Sequence, residues 1–294
     1  MKKFLLQCLF FGLLLLAINQ LLYVNAKSLY FGNYAKLDTT SSQFLLADSR
    51  GISLSGFPTQ FGVANFSSNS DNYTDILRKV NYLVRHTAVK RIYISADDHM
   101  LSSYRERTNN QDISIVLTEA KDFEHYPQYV KERYLKYYIV LFQPVVRTIV
   151  RTKIESWVSN KLFWRSADTS IKNSSWNSIS EQQKVDKALE RYQMQFPDPS
   201  ISPSMYGSLI EIIRICKAHQ VELVAIKFPL TKEYLMSAAK APFHTDSIFD
   251  AHSIRVVDQR EIFKDSSQFF LNQDHLNDLG GKRFSELLFG SDPH

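Results

Sequence analysis

Hydrophobic positions along the chain fall into three regimes. From Phe4 to Ala26 they form one uncharged stretch dense in Leu and Phe. From Phe44 onward, short apolar runs that close on polar residues alternate with amphipathic stretches. Phe44 to Ala47 reads as a strand, Gly51 to Pro58 as a loop, and Phe61 to Phe66 as a second strand. Tyr73 to His86 reads as a helix with Ile76, Leu77, Val80, Leu83 and Val84 on one face, capped by Asp71 or Asn72. Arg91 to Ala96 is a third strand, ending in Asp97, Asp98 and His99. The same order returns late in the chain: a helix from Tyr206 to His219, a buried strand from Val221 to Phe228, a helix from Lys232 to Lys240, a short strand from Arg255 to Asp258, and a last helix from about Leu276 to Leu288. Such alternation predicts an α/β fold around a mostly parallel sheet, with one functional edge.

The middle of the chain departs from this pattern. Val130 to Val158 reads as helical, with Pro144 expected to kink it. Within it, Tyr137 to Val150 is very apolar but short for a membrane span. Phe163 to Trp176 reads as an irregular aromatic loop, and Ser180 to Phe196 as a charged surface helix. Pro197, Pro199 and Pro203 are expected to break the chain before the next helix. The expected organisation is a hydrophobic segment at 1–26, a linker at 27–42, and one domain at 43–294 with a helical insertion at about 122–200. Trp157, Trp164 and Trp176 are expected to cover the core, with stacking on sugar rings as the alternative.

The first regime sets the compartment. About 20 apolar residues suffice to span a bilayer as a helix, and Lys2 and Lys3 before it are expected to stay cytoplasmic. Val24-Asn25-Ala26 also fits a signal-peptide cleavage site, but an apolar core this long favours an uncleaved anchor. Either way the body is expected outside the cytoplasm, periplasmic or at the cell surface. With 44% hydrophobic and 13% aromatic residues the chain can build a large core, which excludes a disordered protein. The net charge of +5 is scattered, with no long basic run, so nucleic acid is not an expected partner. Cys8 lies in the hydrophobic segment and Cys216 in a core helix, which implies no disulfide. Asn65-Phe66-Ser67, Asn72-Tyr73-Thr74 and Asn173-Ser174-Ser175 fit the glycosylation sequon, a pattern common by chance.

Two stretches carry candidate chemistry. Ala47-Asp48-Ser49-Arg50-Gly51 ends the first strand, so Ser49 stands at the rim where open α/β sheets bind ligands. Asn272-Gln273-Asp274-His275 leads into the last helix. Histidine is the usual base for activating a serine, because its pKa lies near neutrality. A carboxylate beside it, here Asp274, would fix the tautomer and stabilise the imidazolium. Asp97, Asp98 and His99 could alternatively suggest a metal site, but loop polarity is the expected role. Arg50 either pairs with Asp48 or meets an anionic substrate.

Ala47-Asp48-Ser49-Arg50 resembles the first block of the SGNH (GDSL-like) hydrolase superfamily, with Ala47 where Gly is usual. Asp274-His275-Leu276-Asn277, followed by Gly280 or Gly281 and Phe284, resembles its last block. The form is closest to envelope-anchored members, some of which take part in O-acetylation of polysaccharides. The resemblance implies a flavodoxin-like three-layer fold with Ser49 as nucleophile and His275 as base. The family's acid position holds Asn272 here, which leaves either Asp274 as the nearby carboxylate or a Ser–His dyad whose ring is oriented by Asn272 or a backbone carbonyl. The oxyanion would be held by the N–H groups of Ser49 and Ser67, and the family's third-block Asn position falls near Asp97. Arg50 and Asp97 are weak candidates for substrate contact. No cofactor or metal is expected. The expected partners are an acyl-ester or glycan substrate, a membrane acyl-transfer partner, and the membrane through the N-terminal helix. The expected activity is a serine esterase or O-acyltransferase; the alternatives are a non-catalytic glycan-binding accessory protein and, more weakly, a phosphate- or metal-dependent hydrolase.

Overall fold

Apolar runs too short for helices build the centre of the molecule. The computed structural model describes residues 1–30, 37, 39–135, 151, 176–238 and 243–290, with the backbone alone for 25–30. The chain divides into two compact units, Met1–Leu37 with Ile115–Ile171, and Asp38–Ser114 with Lys172–His294. The first contains α1 (Lys2–Tyr30), whose Lys2–Val24 stretch is long and apolar enough to cross a membrane. An anchor and a signal sequence share those properties. It also contains a short helix at Tyr126–Val130 continued by a π-turn at Lys131–Leu135. Pro144, the Tyr137–Val150 stretch, the helix expected beyond residue 135, the 163–175 loop, Trp157 and Trp164 lie outside the described residues apart from Arg151. So do Asn173 and residues 31–36 and 38 of the expected 27–42 linker, whose first four residues continue α1.

The second unit is the α/β domain. Its elements are β1 (Gln43–Leu46), α2 (Ser49–Ile52), β2 (Val63–Asn65), α3 (Tyr73–His86), β3 (Arg91–Ser95), α4 (Glu181–Gln195), α5 (Pro203–Ala218), β4 (Glu222–Lys227), α6 (Lys232–Ala238), α7 (Thr245–Ala251), β5 (Val256–Asp258), a small hairpin of β6 (Phe270–Asn272) and β7 (His275–Leu276), and α8 (Asp278–Phe289). The sheet order is β2-β1-β3-β4-β5 and every pairing is parallel. The chain leaves β1 for one edge and returns to β3 on its other side. The carboxyl ends of β1 and β3 therefore flank the switch point, where a crevice opens in sheets of this order.

Strand alternation distributes the core to both faces. Leu45, Val63, Tyr93, Val224 and Ile226 pack with Phe284, Leu288 and Phe289 of α8. Phe44, Leu46, Ile92 and Ile94, also fully buried, point the other way. On that side α3 packs against α5, and α5 against β4. Trp176 is buried in the α8-side core.

Local chemistry sets several boundaries away from their expected places. Asn72, rather than Asp71, caps α3 through a reciprocal box with Asp75. Pro203 opens α5 instead of breaking the chain before it, since the first helical position needs no N–H and Ser202 supplies the cap. The last helix starts at Asp278, two residues late, because Asn277 caps it and His275–Leu276 pairs with Phe270–Asn272. The stretch after β1 expected to be a loop begins with a turn of helix, α2. α7 has no counterpart in the expected elements. The end of the helix expected to reach Lys240 passes beyond the described residues.

Two glycines permit close approaches around the turn after β1. A Cβ on Gly281 of α8 would lie 2.2 Å from the Ser53 carbonyl oxygen just after α2, so only glycine permits that approach. A Cβ on Gly51 would meet Ser67 Oγ at 2.2 Å and Ala47 Cβ at 2.8 Å. Gly51→Ala is therefore expected to destabilise the domain by about 1–3 kcal/mol, read as a lower denaturation midpoint of the full chain; an unchanged midpoint would contradict this packing.

Candidate active site

Asp48, two residues beyond β1, shapes the turn that presents Ser49. Its side chain accepts the Arg50 N–H at 3.0 Å, capping α2. Ser49 is the first residue of that turn, and its own N–H donates to no acceptor among the described residues. The β6–β7 hairpin brings His275 over it. His275 Nε2 lies 2.7 Å from Ser49 Oγ, across 226 positions of sequence.

The other ring nitrogen has two oxygens near it. Asn272 Oδ1 is 2.9 Å from Nδ1 and hydrogen-bonded to it. Asp274 Oδ1 is also 2.9 Å away, but it lies off the N–H direction and has no hydrogen bond. Asn272 is itself oriented, because the Asp274 backbone N–H donates to its side chain at 3.2 Å. A backbone N–H can only donate, so the atom facing it is the amide oxygen. That same oxygen faces Nδ1, which must then carry the proton. Nε2 is left as an acceptor toward the Ser49 hydroxyl, the tautomer a general base requires.

Ser49 and His275 open onto a cavity of about 410 Å³ whose wall includes Ile52, Ser53, Asn69, Leu271 and Asp278. Asn69 is placed by its backbone: Asn110 donates to its carbonyl, and Ser70 beside it takes a left-handed conformation at φ 67°. Its exposed side chain makes no hydrogen bond to a described residue.

Beneath the pair lies a buried ionic cluster. Arg50 reaches Asp97 at 2.9 Å and Asp274 at 3.3 Å. Arg191 of α4 reaches Asp274 at 3.0 Å. Asp48 is paired with Arg105 and lies 3.0 Å from His99. Burial pushes the Asp48 carboxyl up, but Arg105 and His99 outweigh it and hold it well below the ordinary carboxylate range. Asp274 behaves alike: burial raises it, and His275, Arg50 and Arg191 bring it well below. For Asp97 burial prevails over Arg50 and the net direction is upward. Burial, with Arg50 and Arg105 adding to it, holds the His99 imidazole well below its ordinary value.

Several candidate residues sit differently from their expected roles. Arg50 pairs its guanidinium with other carboxylates than Asp48. It is 4% exposed and turned to Asp97 and Asp274. Asp97 is likewise buried, accepting from Ser95 and from the Phe228 N–H besides Arg50, so its carboxylate is spent on structure. The Ser67 N–H donates to Asn65 Oδ1 at 3.2 Å, which removes it from the oxyanion role as placed here. Asp97, Asp98 and His99 diverge to Arg50, the Thr245 N–H and Asp48 respectively. Among the described residues no group of three or more His, Cys, Asp or Glu side chains could hold a metal ion. The pattern of the sequence did not single out Asn69, Arg105, Arg191 or Gln195. Asn69 sits in a serine-rich turn, and the other three reach the site only through tertiary packing.

No protein-family model matches the chain, and no curated protein sequence matches it. What the fold defines is an α/β protein with a five-stranded parallel sheet and a long apolar N-terminal helix.

The cluster makes stability depend on pH. An unfolded histidine titrates near 6.5, whereas His99 stays neutral well below that in the fold. Between those two values the unfolded chain binds a proton that the folded chain does not. Stability therefore falls as pH drops below about 6.5, by up to about 1.4 kcal/mol per pH unit. Asp48 and Asp274 extend the loss below about pH 4. Denaturant unfolding at pH 7.5 and 5.5 tests this: His99→Gln should flatten the slope, and an identical slope in the variant would contradict it.

Proposed function

We propose that the chain is a serine esterase or O-acyltransferase of the SGNH type. It would act outside the cytoplasm on acyl, most simply acetyl, esters of envelope or secreted glycans. The observation that carries this reading is the 2.7 Å approach of His275 Nε2 to Ser49 Oγ, with the ring proton held on the far side by Asn272. Ser49 attacks the acyl carbon and its proton passes to Nε2. The oxyanion is met by the Ser49 N–H and by the Asn69 side-chain amide, which takes the place expected of Ser67. The leaving alcohol takes the proton back from His275. Water, or a glycan hydroxyl entering through the same cavity, then accepts the acyl group. An uncleaved N-terminal helix would hold the enzyme at the membrane beside a partner that delivers acyl groups.

A second reading is favoured by the same observations that modify the oxyanion hole. Asp97 and the Ser67 N–H, both at positions where the superfamily stabilises the oxyanion, are engaged in structural bonds. The chain would then be a glycan-binding accessory protein of polysaccharide assembly.

Turnover of an aryl acetate by the full chain in detergent separates the two. On the enzymatic reading, Ser49→Ala and His275→Ala each lower kcat by about a thousandfold or more. Asn69→Ala lowers it by about a hundredfold with little change in KM. Equal turnover by wild type and Ser49→Ala would overturn the catalytic reading. Full activity in Asn69→Ala would remove Asn69 from the oxyanion hole.

A further inference from the structure

Asp274 is bonded unevenly, and the unevenness points at the base. Its Oδ2 receives three donors: Arg50 Nη2 at 3.3 Å, Arg191 Nε at 3.0 Å and Gln195 Nε2 at 3.1 Å. Its Oδ1 is buried, receives none, and stands 2.9 Å from His275 Nδ1. A buried acceptor without a donor is unfavourable, so something must keep the carboxylate from rotating toward its donors. Concentrating all three on one oxygen does that.

The three donors are themselves fixed. Gln195 is oriented by Tyr234, whose hydroxyl donates to its carbonyl oxygen and leaves its amide for Asp274. Burial keeps the Tyr234 hydroxyl protonated well above its ordinary range. Arg50 is braced by Asp97. Arg191, one-fifth exposed, reaches in from α4. The charged and titratable groups facing Asp274 are thus Arg50 and Tyr234 from inside, Arg191 from α4, and His275 beside it.

We propose that Arg191 and Gln195 of α4, with Arg50, are positioning residues for His275, acting through Asp274 to hold one carboxylate oxygen at the ring while Asn272 keeps the neutral tautomer. This rests on the assignment of Ser49 and His275 as nucleophile and base. When the Ser49 proton moves to Nε2, the ring gains a positive charge. The free oxygen of Asp274 then faces an imidazolium instead of a neutral ring. That attraction is stronger at the transition state than before it, which is the condition for it to accelerate the step. The histidine's two requirements are divided: a neutral amide selects the tautomer, and a carboxylate one residue away supplies the charge.

The test is the pH dependence of aryl acetate turnover by the full chain in detergent, with unfolding midpoints as a control for folding. Arg191→Met should lower kcat between about 10- and 100-fold with KM little changed, and Arg191→Lys should recover part of the loss. Asp274→Asn should lower kcat and move the acid limb of the profile to lower pH by about one unit or more, because the ring loses its counter-charge. If Asp274→Asn fails to fold, the two Arg191 variants decide. Folded Arg191→Met with wild-type kcat would overturn the proposal, as would folded Asp274→Asn with an unmoved acid limb. Absence of turnover in the wild type would instead defeat the underlying catalytic assignment.

Discussion

Arg50 and Asp274 are 224 positions apart in sequence and 3.3 Å apart in space. Each is the immediate chain neighbour of a residue of the site: Arg50 follows Ser49, and Asp274 precedes His275. Their ion pair fastens the turn after β1 to the hairpin before α8. Where those two segments meet, Ser49 Oγ and His275 Nε2 come within hydrogen-bond distance. The close backbone approach of Gly281 to Ser53 works toward the same juxtaposition from the helix side.

Buried ion pairs are a poor source of net stability, because desolvating each charge costs several kcal/mol. Here the cost is limited because each charge meets an opposite one, although Arg50 Nε, Arg105 Nε and Asp274 Oδ1 are buried without a hydrogen bond. Three guanidinium groups, those of Arg50, Arg105 and Arg191, interleave with the carboxylates of Asp48, Asp97 and Asp274. Removing one partner would leave an uncompensated buried charge, which is far worse than lacking the pair. What the network fixes is geometry: a capped turn at Asp48, an oriented carboxylate at Asp274 and a fixed amide at Asn272.

The fold was largely legible because its signals are local. Short apolar runs ending in polar residues mark β1, β3 and β4, and the 3.6-residue pattern marks α3. Ser49 and His275 were legible as candidates because each sits at the end of an apolar element beside a carboxylate. The roles of Arg50, Asp97 and Ser67 were not, since they depend on which side chain arrives from elsewhere. A guanidinium beside a serine reads as a substrate contact until Asp97 and Asp274 are seen to enclose it. Arg191 lies on a helix whose sequence is polar on most faces, and nothing in that pattern marks the one residue that turns inward.

The proposed function stands on Ser49 as a nucleophile activated by His275. Covalent capture reads this without knowledge of the natural substrate. The full chain in detergent would be incubated with a fluorophosphonate and digested, and the adduct located by mass spectrometry. The account predicts a single adduct on Ser49 that forms at least about a hundredfold more slowly in His275→Gln. No adduct, or an adduct on Ser49 formed equally fast without the histidine, would contradict it.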